Sequence, residues 1–172
     1  MLAKVLEQVS KQQDPSIGLV VEGPVHFLVL NRPDNTFDFK YIQAISDLLD
    51  KVAASSGPTV LVTIGTGPKI FSSGLDFNCW LADPDNPLAT ATMLQQLLAK
   101  LLSLNVPTLC VMNGHAYAGG FFFGLCHDFR VLKVGGRLCL SEIIQGLPLP
   151  PAYTKIVSEL LDAQISRRLV LG

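Results

Sequence analysis

Apolar positions along the chain follow two periods, and the switches between them mark out the elements. Residues 17–21 and 25–30 are short apolar, β-branched runs, and Glu22-Gly23-Pro24 between them predicts a hairpin. From Phe39 onward the apolar positions Ile42, Ile45, Leu48, Leu49 and Val52 recur at the helical period. Asp38 stands where an N-cap is needed, and Gly57-Pro58 closes the segment. Residues 60–64 are continuously apolar and predict a buried strand. Residues 79–87 read as a loop. A second helical stripe, Met93, Leu94, Leu97, Leu98, Leu101 and Leu102, runs through residues 88–104. Residues 108–112 predict another buried strand, which Asn113-Gly114 breaks, and Gly119-Gly120 then opens the apolar segment 121–126. Residues 129–134 and 138–140 read as two short strands about Gly135-Gly136, and residues 153–161 and 163–171 as two helices.

Strands alternating with helices imply an α/β architecture with a parallel sheet. Residues 1–14 are mostly polar and read as a short helix or an arm, with residues 15–172 forming one core domain. The chain is 49% hydrophobic and 16% charged, enough for a large core and for a buried subunit interface as well. A net charge of −1 gives no electrostatic footprint for nucleic acid or an anionic membrane, and no apolar run is long enough to span a bilayer. The four cysteines, Cys79, Cys110, Cys126 and Cys139, show no paired spacing and read as free thiols in a reducing compartment. The N-terminus lacks the apolar core of a secretory signal, so the protein is expected not to be secreted.

Chemistry is suggested at three places. A strand leading through Gly119-Gly120 into a helix leaves backbone N–H groups free at the helix start, where negative charge can settle. Ser72-Ser73-Gly74 follows a short apolar run, and Glu142 follows the strand at 138–140. Taken singly, each of these is explained as well by turn chemistry or a solvated carboxylate.

Together they resemble the crotonase (enoyl-CoA hydratase/isomerase) superfamily. Pro107 to Gly120 is similar to its P-x-x-A-x-x-N-G-x-A-x-G-G-G signature. Phe71-Ser72-Ser73-Gly74-Leu75-Asp76 is similar to its F-[SC]-[AS]-G-x-D, and Leu30-Asn31-Arg32-Pro33 to its L-N-R-P. Ser141-Glu142 through Gly146-Leu147-Pro148-Leu149-Pro150 resembles the S-E-x-x-x-G-L-P-L-P of enoyl-CoA delta isomerases, the peroxisomal and plant ones in particular. The resemblance implies a superhelix of strand-strand-helix turns, although no repeat is visible in the sequence itself. It also implies a loop at 79–87 that covers the acyl tunnel, and an acyl-CoA thioester as substrate. No separate cofactor or metal is implied, since coenzyme A arrives as part of the substrate.

The family stabilises an enolate oxygen with two backbone N–H groups, which by this resemblance come from Ser73 and Gly119. Glu142 falls where the family keeps one catalytic glutamate. Phe122 falls where hydratases carry the second, so one carboxylate facing an apolar wall implies proton shuttling rather than water addition. Arg32, Ser72, Gly74, Leu75, Asp76, Gly120, Phe122 and Leu147 are implied to contact substrate, Asp76 mostly through its backbone. His115, His127 and Asp128 are expected to be structural.

Three readings compete. One is an isomerase moving a 3-enoyl-CoA double bond to the 2 position in unsaturated fatty-acid oxidation, in the mitochondrial matrix or peroxisome. Another is an inactive crotonase-fold subunit of a larger assembly, and a third is a hydratase-like enzyme, against which Phe122 argues. Family members form homotrimers or hexamers and continue past the Arg167-Arg168-Leu169-Val170-Leu171-Gly172 segment into further helices. This chain is therefore expected to be a fragment or a short form that leaves an apolar patch for a partner.

Overall fold

The two β-rich runs pair as a hairpin: β1 (Ile17–Glu22) runs antiparallel to β2 (Val25–Leu30), with Gly23 at φ +60° in the turn. The computed structural model describes residues 2–12, 14–78, 86–142, 144 and 146–171. Before the hairpin lies α1 (Leu2–Ser10), and after it α2 (Phe39–Ala53). The carboxylate of Asp38 accepts from the Tyr41 N–H at 2.7 Å, so the expected N-cap forms. The α2 stripe Tyr41, Ile42, Ile45, Leu49 and Val52 is buried.

Three strand pairs follow: β3 (Val60–Gly65) with β4 (Ile70–Ser72), β5 (Thr108–Met112) with β6 (His115–Tyr117), and β7 (Phe129–Leu132) with β8 (Leu138–Cys139). The first member of each pair joins one sheet in the order β1-β2-β3-β5-β7, and the second joins another in the order β4-β6-β8. Every pairing beyond the hairpin is parallel. Helices α3 (Asn86–Leu102), α4 (Gly119–Leu125) and α5 (Pro151–Leu160) come after the successive pairs, and α6 (Ala163–Leu171) closes the order. The repeat missing from the sequence pattern is thus present in the fold as strand, strand, helix. Among the described residues, no helix is long and apolar enough to cross a membrane.

Some boundaries differ from the sequence reading. The strand expected at 129–134 ends at Leu132, and the helix expected from 121 begins at Gly119. Strands β4 and β6 were not expected at all, because three residues are too few to show a period. Of the loop expected at 79–87, residues 79–85, with Cys79, lie outside the described residues, and Asn86 and Pro87 already belong to α3.

The inner face of the large sheet, with Leu28, Leu30, Leu61, Cys110 and Met112, forms the core with α2, α3 and α4. Cys110, Cys126 and Cys139 are free thiols, and burial pushes that of Cys126 up to about 12. His127 is buried between the Phe123 carbonyl, 2.9 Å from Nδ1, and Thr63 Oγ1, 2.8 Å from Nε2. Burial holds its pKa down near 4, so it is a neutral structural residue. Asp128 Oδ2 accepts from both the N–H and the hydroxyl of Thr108 at 2.8 Å and pins the start of β5.

On the outer face, in-register rows read Phe27, Val62, Leu109, Phe129 and Val29, Ile64, Val111, Val131. Helix α1 covers the hairpin end of this face with Val5 and Val9. Toward β7 the face opens, with Phe129 64% and Val131 54% exposed.

Candidate functional site

The register of the small sheet assembles the three motifs. Ser72 lies opposite Ala116, and Tyr117 opposite Cys139, in parallel strands. Counting on from those pairs sets Leu75, Gly119 and the Ser141-Glu142 step side by side, just past the C-terminal ends of β4, β6 and β8. Ligands of parallel α/β sheets bind at that end of the strands. The Ala118 N–H donates to the Cys139 carbonyl at 2.9 Å and seals the junction of β6 and β8.

A cavity of about 140 Å³ opens there. Leu75, Ala118, Gly119, Glu142, Leu147 and Tyr153 line it, with Phe77, Ala91, Ser141, Pro148 and Pro150. Of the expected site residues, Glu142, Gly119, Leu75 and Leu147 therefore meet in one place.

Ser73 does not join them as a donor. Its N–H is already given to the Asp34 carbonyl at 2.9 Å. The residue on the other side of the glycine takes that place. Phe37 donates to the Gly74 carbonyl and accepts from the Asp76 N–H, in a parallel bridge to Leu75. Such a bridge uses the peptides on either side of Leu75, so Leu75's own N–H points away from Phe37. Its nitrogen lies beside Gly119: a Cβ on Gly119 would lie 3.6 Å from it. Among the described residues, no carbonyl or side-chain acceptor takes the N–H of Leu75 or of Gly119. Two unused donors thus border the cavity side by side.

Gly119 and Gly74 both need to lack a Cβ. One on Gly119 would meet Leu94 Cδ2 at 2.7 Å, and one on Gly74 would meet the Gly119 nitrogen at 2.8 Å. Ala118, between β6 and α4, has φ +47° and ψ −125°, a conformation that suits glycine. This strained residue turns the chain so that Gly119 begins the helix with its N–H at the cavity. Ala118→Gly is expected to raise stability by about 1 kcal/mol, since strain relief exceeds the added freedom of the unfolded chain. A denaturation midpoint reads the change, and a lower midpoint would show that Ala118 is unstrained.

The remaining expected contacts hold the site from outside. Ser72 is fully buried; its hydroxyl donates to the Asn35 carbonyl at 2.7 Å and accepts from the Gly74 N–H at 3.2 Å. A Cβ on Gly120 would strike Ser72 Oγ at 2.6 Å, so Gly120 is a packing position. Asp76 Oδ1 caps a turn by accepting from the Asn78 N–H. Arg32 pairs with Asp38 at 2.6 Å and stacks 3.9 Å over the Tyr41 ring, away from the cavity lining. Phe122 is fully buried and does not line the cavity; Tyr153 covers it at a centroid distance of 4.5 Å.

Two supporting residues escaped the sequence reading. Asn35, buried at φ +44°, holds the Arg32 N–H through Oδ1 and the Phe71 carbonyl through Nδ2, each at 2.8 Å. It thereby binds the β2–α2 connection to the strand that presents Gly74 and Leu75. Tyr153 lines the cavity from α5. An asparagine next to Asp34 reads as an ordinary turn, and a tyrosine in an amphipathic helix as an ordinary core position.

Glu142 is half-buried, and the Leu147 N–H donates to its carbonyl at 2.9 Å across the turn. Its Oε2 is buried with no hydrogen-bond partner. Loss of water raises its pKa above the ordinary carboxylate value. A carboxylate so placed is a proton acceptor of raised basicity beside two N–H donors for an oxyanion. Among the described residues, no three His, Cys, Asp or Glu side chains gather as a metal site.

Comparison with known proteins bears on the family and the fold. A sequence profile described as Enoyl-CoA hydratase/isomerase matches residues 21–171. Enoyl-CoA delta isomerase 3 of Arabidopsis thaliana is 34% identical over 158 residues, 87% of this chain and 65% of that protein. The peroxisomal enoyl-CoA delta isomerase 2 of the same plant is 32% identical, over 76% of this chain and 57% of that protein. The chain thus spans somewhat under two thirds of the length of these relatives. Among solved structures, DspI of Pseudomonas aeruginosa superposes with a TM-score of 0.85 at 25% identity, over 94% of this chain and 63% of that one. An enoyl-CoA hydratase from Bacillus anthracis, 21% identical, superposes at 0.84 over 91% of this chain and 62% of that one, a likeness of fold. With the profile matched over nearly its whole length and the crotonase fold in place, the chain belongs to the enoyl-CoA hydratase/isomerase family.

Proposed function

We propose that this site isomerises a 3-enoyl-CoA to the 2-enoyl-CoA, with Glu142 as the single proton carrier. The observation that carries the proposal is the unpartnered, half-buried Glu142 carboxyl in a cavity bordered by the free N–H groups of Leu75 and Gly119. Glu142 takes a proton from C2, and the C–H electron pair becomes the C1=C2 bond of a dienolate. Negative charge collects on the thioester oxygen, where two N–H donors stabilise it by on the order of 3 kcal/mol each. Return of the same proton to C4 uses the C3=C4 pair for the new C–H bond, while the C1=C2 pair moves to C2=C3 and the oxygen's pair restores the C1=O bond. No water enters the balance, which fits a cavity whose only carboxylate among the described residues is Glu142.

The Arabidopsis relatives are named enoyl-CoA delta isomerases, which supports the same reaction here. One is named peroxisomal, which favours the peroxisome as the compartment. The test is to incubate purified protein with a 3-enoyl-CoA and follow conjugation of the thioester by ultraviolet absorbance. Conversion to a 2-enoyl product without a 3-hydroxy product is expected. A 3-enoyl-CoA left unconverted while a 2-enoyl-CoA supplied separately is hydrated to the 3-hydroxy product would favour the hydratase reading.

A role within an assembly is a second reading, favoured by the open apolar face at β7. We infer that this face is covered by another subunit. Phe129→Lys with Val131→Lys is expected to convert an oligomer into monomer in sedimentation velocity. A wild-type protein that sediments as a well-behaved monomer would remove this reading.

A further inference from the structure

Among the described residues, five buried side-chain polar atoms have no hydrogen-bond partner. Only two of them, Glu142 Oε2 and the Tyr153 hydroxyl, belong to residues lining the same cavity. One is an acceptor and the other a donor. Buried polar groups are nearly always paired, so two orphaned atoms on residues that line one apolar cavity call for a reason.

We propose that Tyr153 is a positioning residue whose hydroxyl donates a hydrogen bond to the Glu142 carboxylate once that group has lost its proton, holding it in the orientation that serves both C2 and C4. The inference rests on the isomerase reading for its catalytic consequence, and on the two orphaned atoms for its structural part.

Three observations support it. Tyr153 is 5% exposed, and its ring is held against Phe122 at a centroid distance of 4.5 Å, so the hydroxyl has little freedom to turn elsewhere. Tyr153 lines the cavity where it packs over the buried Phe122, so the lining on that side presents a neutral phenol rather than an acid. Burial raises the Tyr153 pKa well beyond the physiological range, with the Glu142 charge as the next contribution, so the hydroxyl remains a donor while Glu142 titrates.

The surroundings leave few competitors. Cys126, past the end of α4, is the other titratable group acting on Tyr153, and it stays protonated. On α5, Lys155 and Glu159 pair with each other in solvent. On α6, Arg167 lines a separate groove with Val157 and Leu161, and Arg168 is exposed. On α3, Lys100 is held by Asp50 at 2.8 Å. Ser141 is the remaining hydroxyl in the cavity lining.

The experiment is Tyr153→Phe, which keeps the ring against Phe122 and removes only the hydroxyl. The expected result is a fall in kcat of about tenfold with KM unchanged, since a hydrogen bond to a charged group is lost. The acidic limb of the kcat profile should move to higher pH, because the ionised form of Glu142 loses its donor. The melting temperature should not fall, because the hydroxyl removed has no partner in the resting protein. A wild-type kcat with an unmoved acidic limb would overturn the proposal. The Glu142 carboxyl is also titrated directly by isotope-edited NMR in both proteins, which needs no turnover. An upward displacement in Tyr153→Phe supports the coupling even if no 3-enoyl-CoA is converted, and identical titrations overturn it.

Discussion

Glu142→Gln is expected to lower the isomerisation rate by a factor of about 10²–10⁴, the usual cost of losing a positioned general base. Binding of an acyl-CoA thioester should stay nearly unchanged. The side chain keeps its shape, so the cavity formed with Gly119, Leu147 and Tyr153 is preserved. What is lost is the ability to accept a proton. A neutral amide is also cheaper to bury than an ionised carboxylate, so the variant should be no less stable than wild type. Single-turnover rates measure the first effect, and calorimetric titration with a saturated acyl-CoA measures the second. A variant with the wild-type rate would remove Glu142 from the mechanism.

The second large effect is expected at Gly74. Its φ of +86° disfavours any side chain, and a Cβ there would come within 2.8 Å of the Gly119 nitrogen and 3.1 Å of the Tyr117 carbonyl oxygen. Gly74→Ala should therefore cost about 2 kcal/mol or more of stability from strain and overlap together. It should also lower kcat by about 10²–10³, as expected when one oxyanion donor is displaced. Gly23 provides the control. It has φ +60° in the hairpin turn, with nothing within 4 Å of a built Cβ. Gly23→Ala should cost about 1 kcal/mol of conformational strain and leave kcat as it was. Equal losses of kcat in the two variants would mean that Gly74 acts through stability alone.

Elements with a long period were legible in the sequence. The hairpin, α2 with its Asp38 cap, and the buried strands β3 and β5 all lie where the pattern puts them, because each is an apolar run or stripe long enough to be read by itself. Strands β4 and β6, of three residues each, carry no such signal, and β8, of two residues, was legible only as a short run after the Gly135-Gly136 turn. Yet their parallel register is what gathers Leu75, Gly119 and Glu142. The three motifs could be recognised separately as family signatures, while the sheet joining them could not be read from spacing.

The misassigned donor has a similar cause. The motif marks the neighbourhood of Gly74 but does not say which flanking N–H is free. That choice is made by the 34–37 segment, where the Asp34 carbonyl takes the Ser73 N–H and Phe37 bridges the peptides around Leu75. Nothing local to residues 71–76 announces these partners. Arg32 shows the same dependence on distant partners: its motif is local, but Asp38 and Tyr41 hold the side chain. Phe122, expected to contact substrate, is instead buried behind Tyr153 and does not line the cavity.

The central claim is a proton shuttle on one carboxylate, and the most direct measurement is the fate of a 3-enoyl-CoA mixed with the purified wild-type protein. Absorbance should report a conjugated thioester formed at a rate proportional to protein concentration, and mass spectrometry should find a product of unchanged mass. A 3-enoyl-CoA that binds yet is recovered unconverted would contradict it.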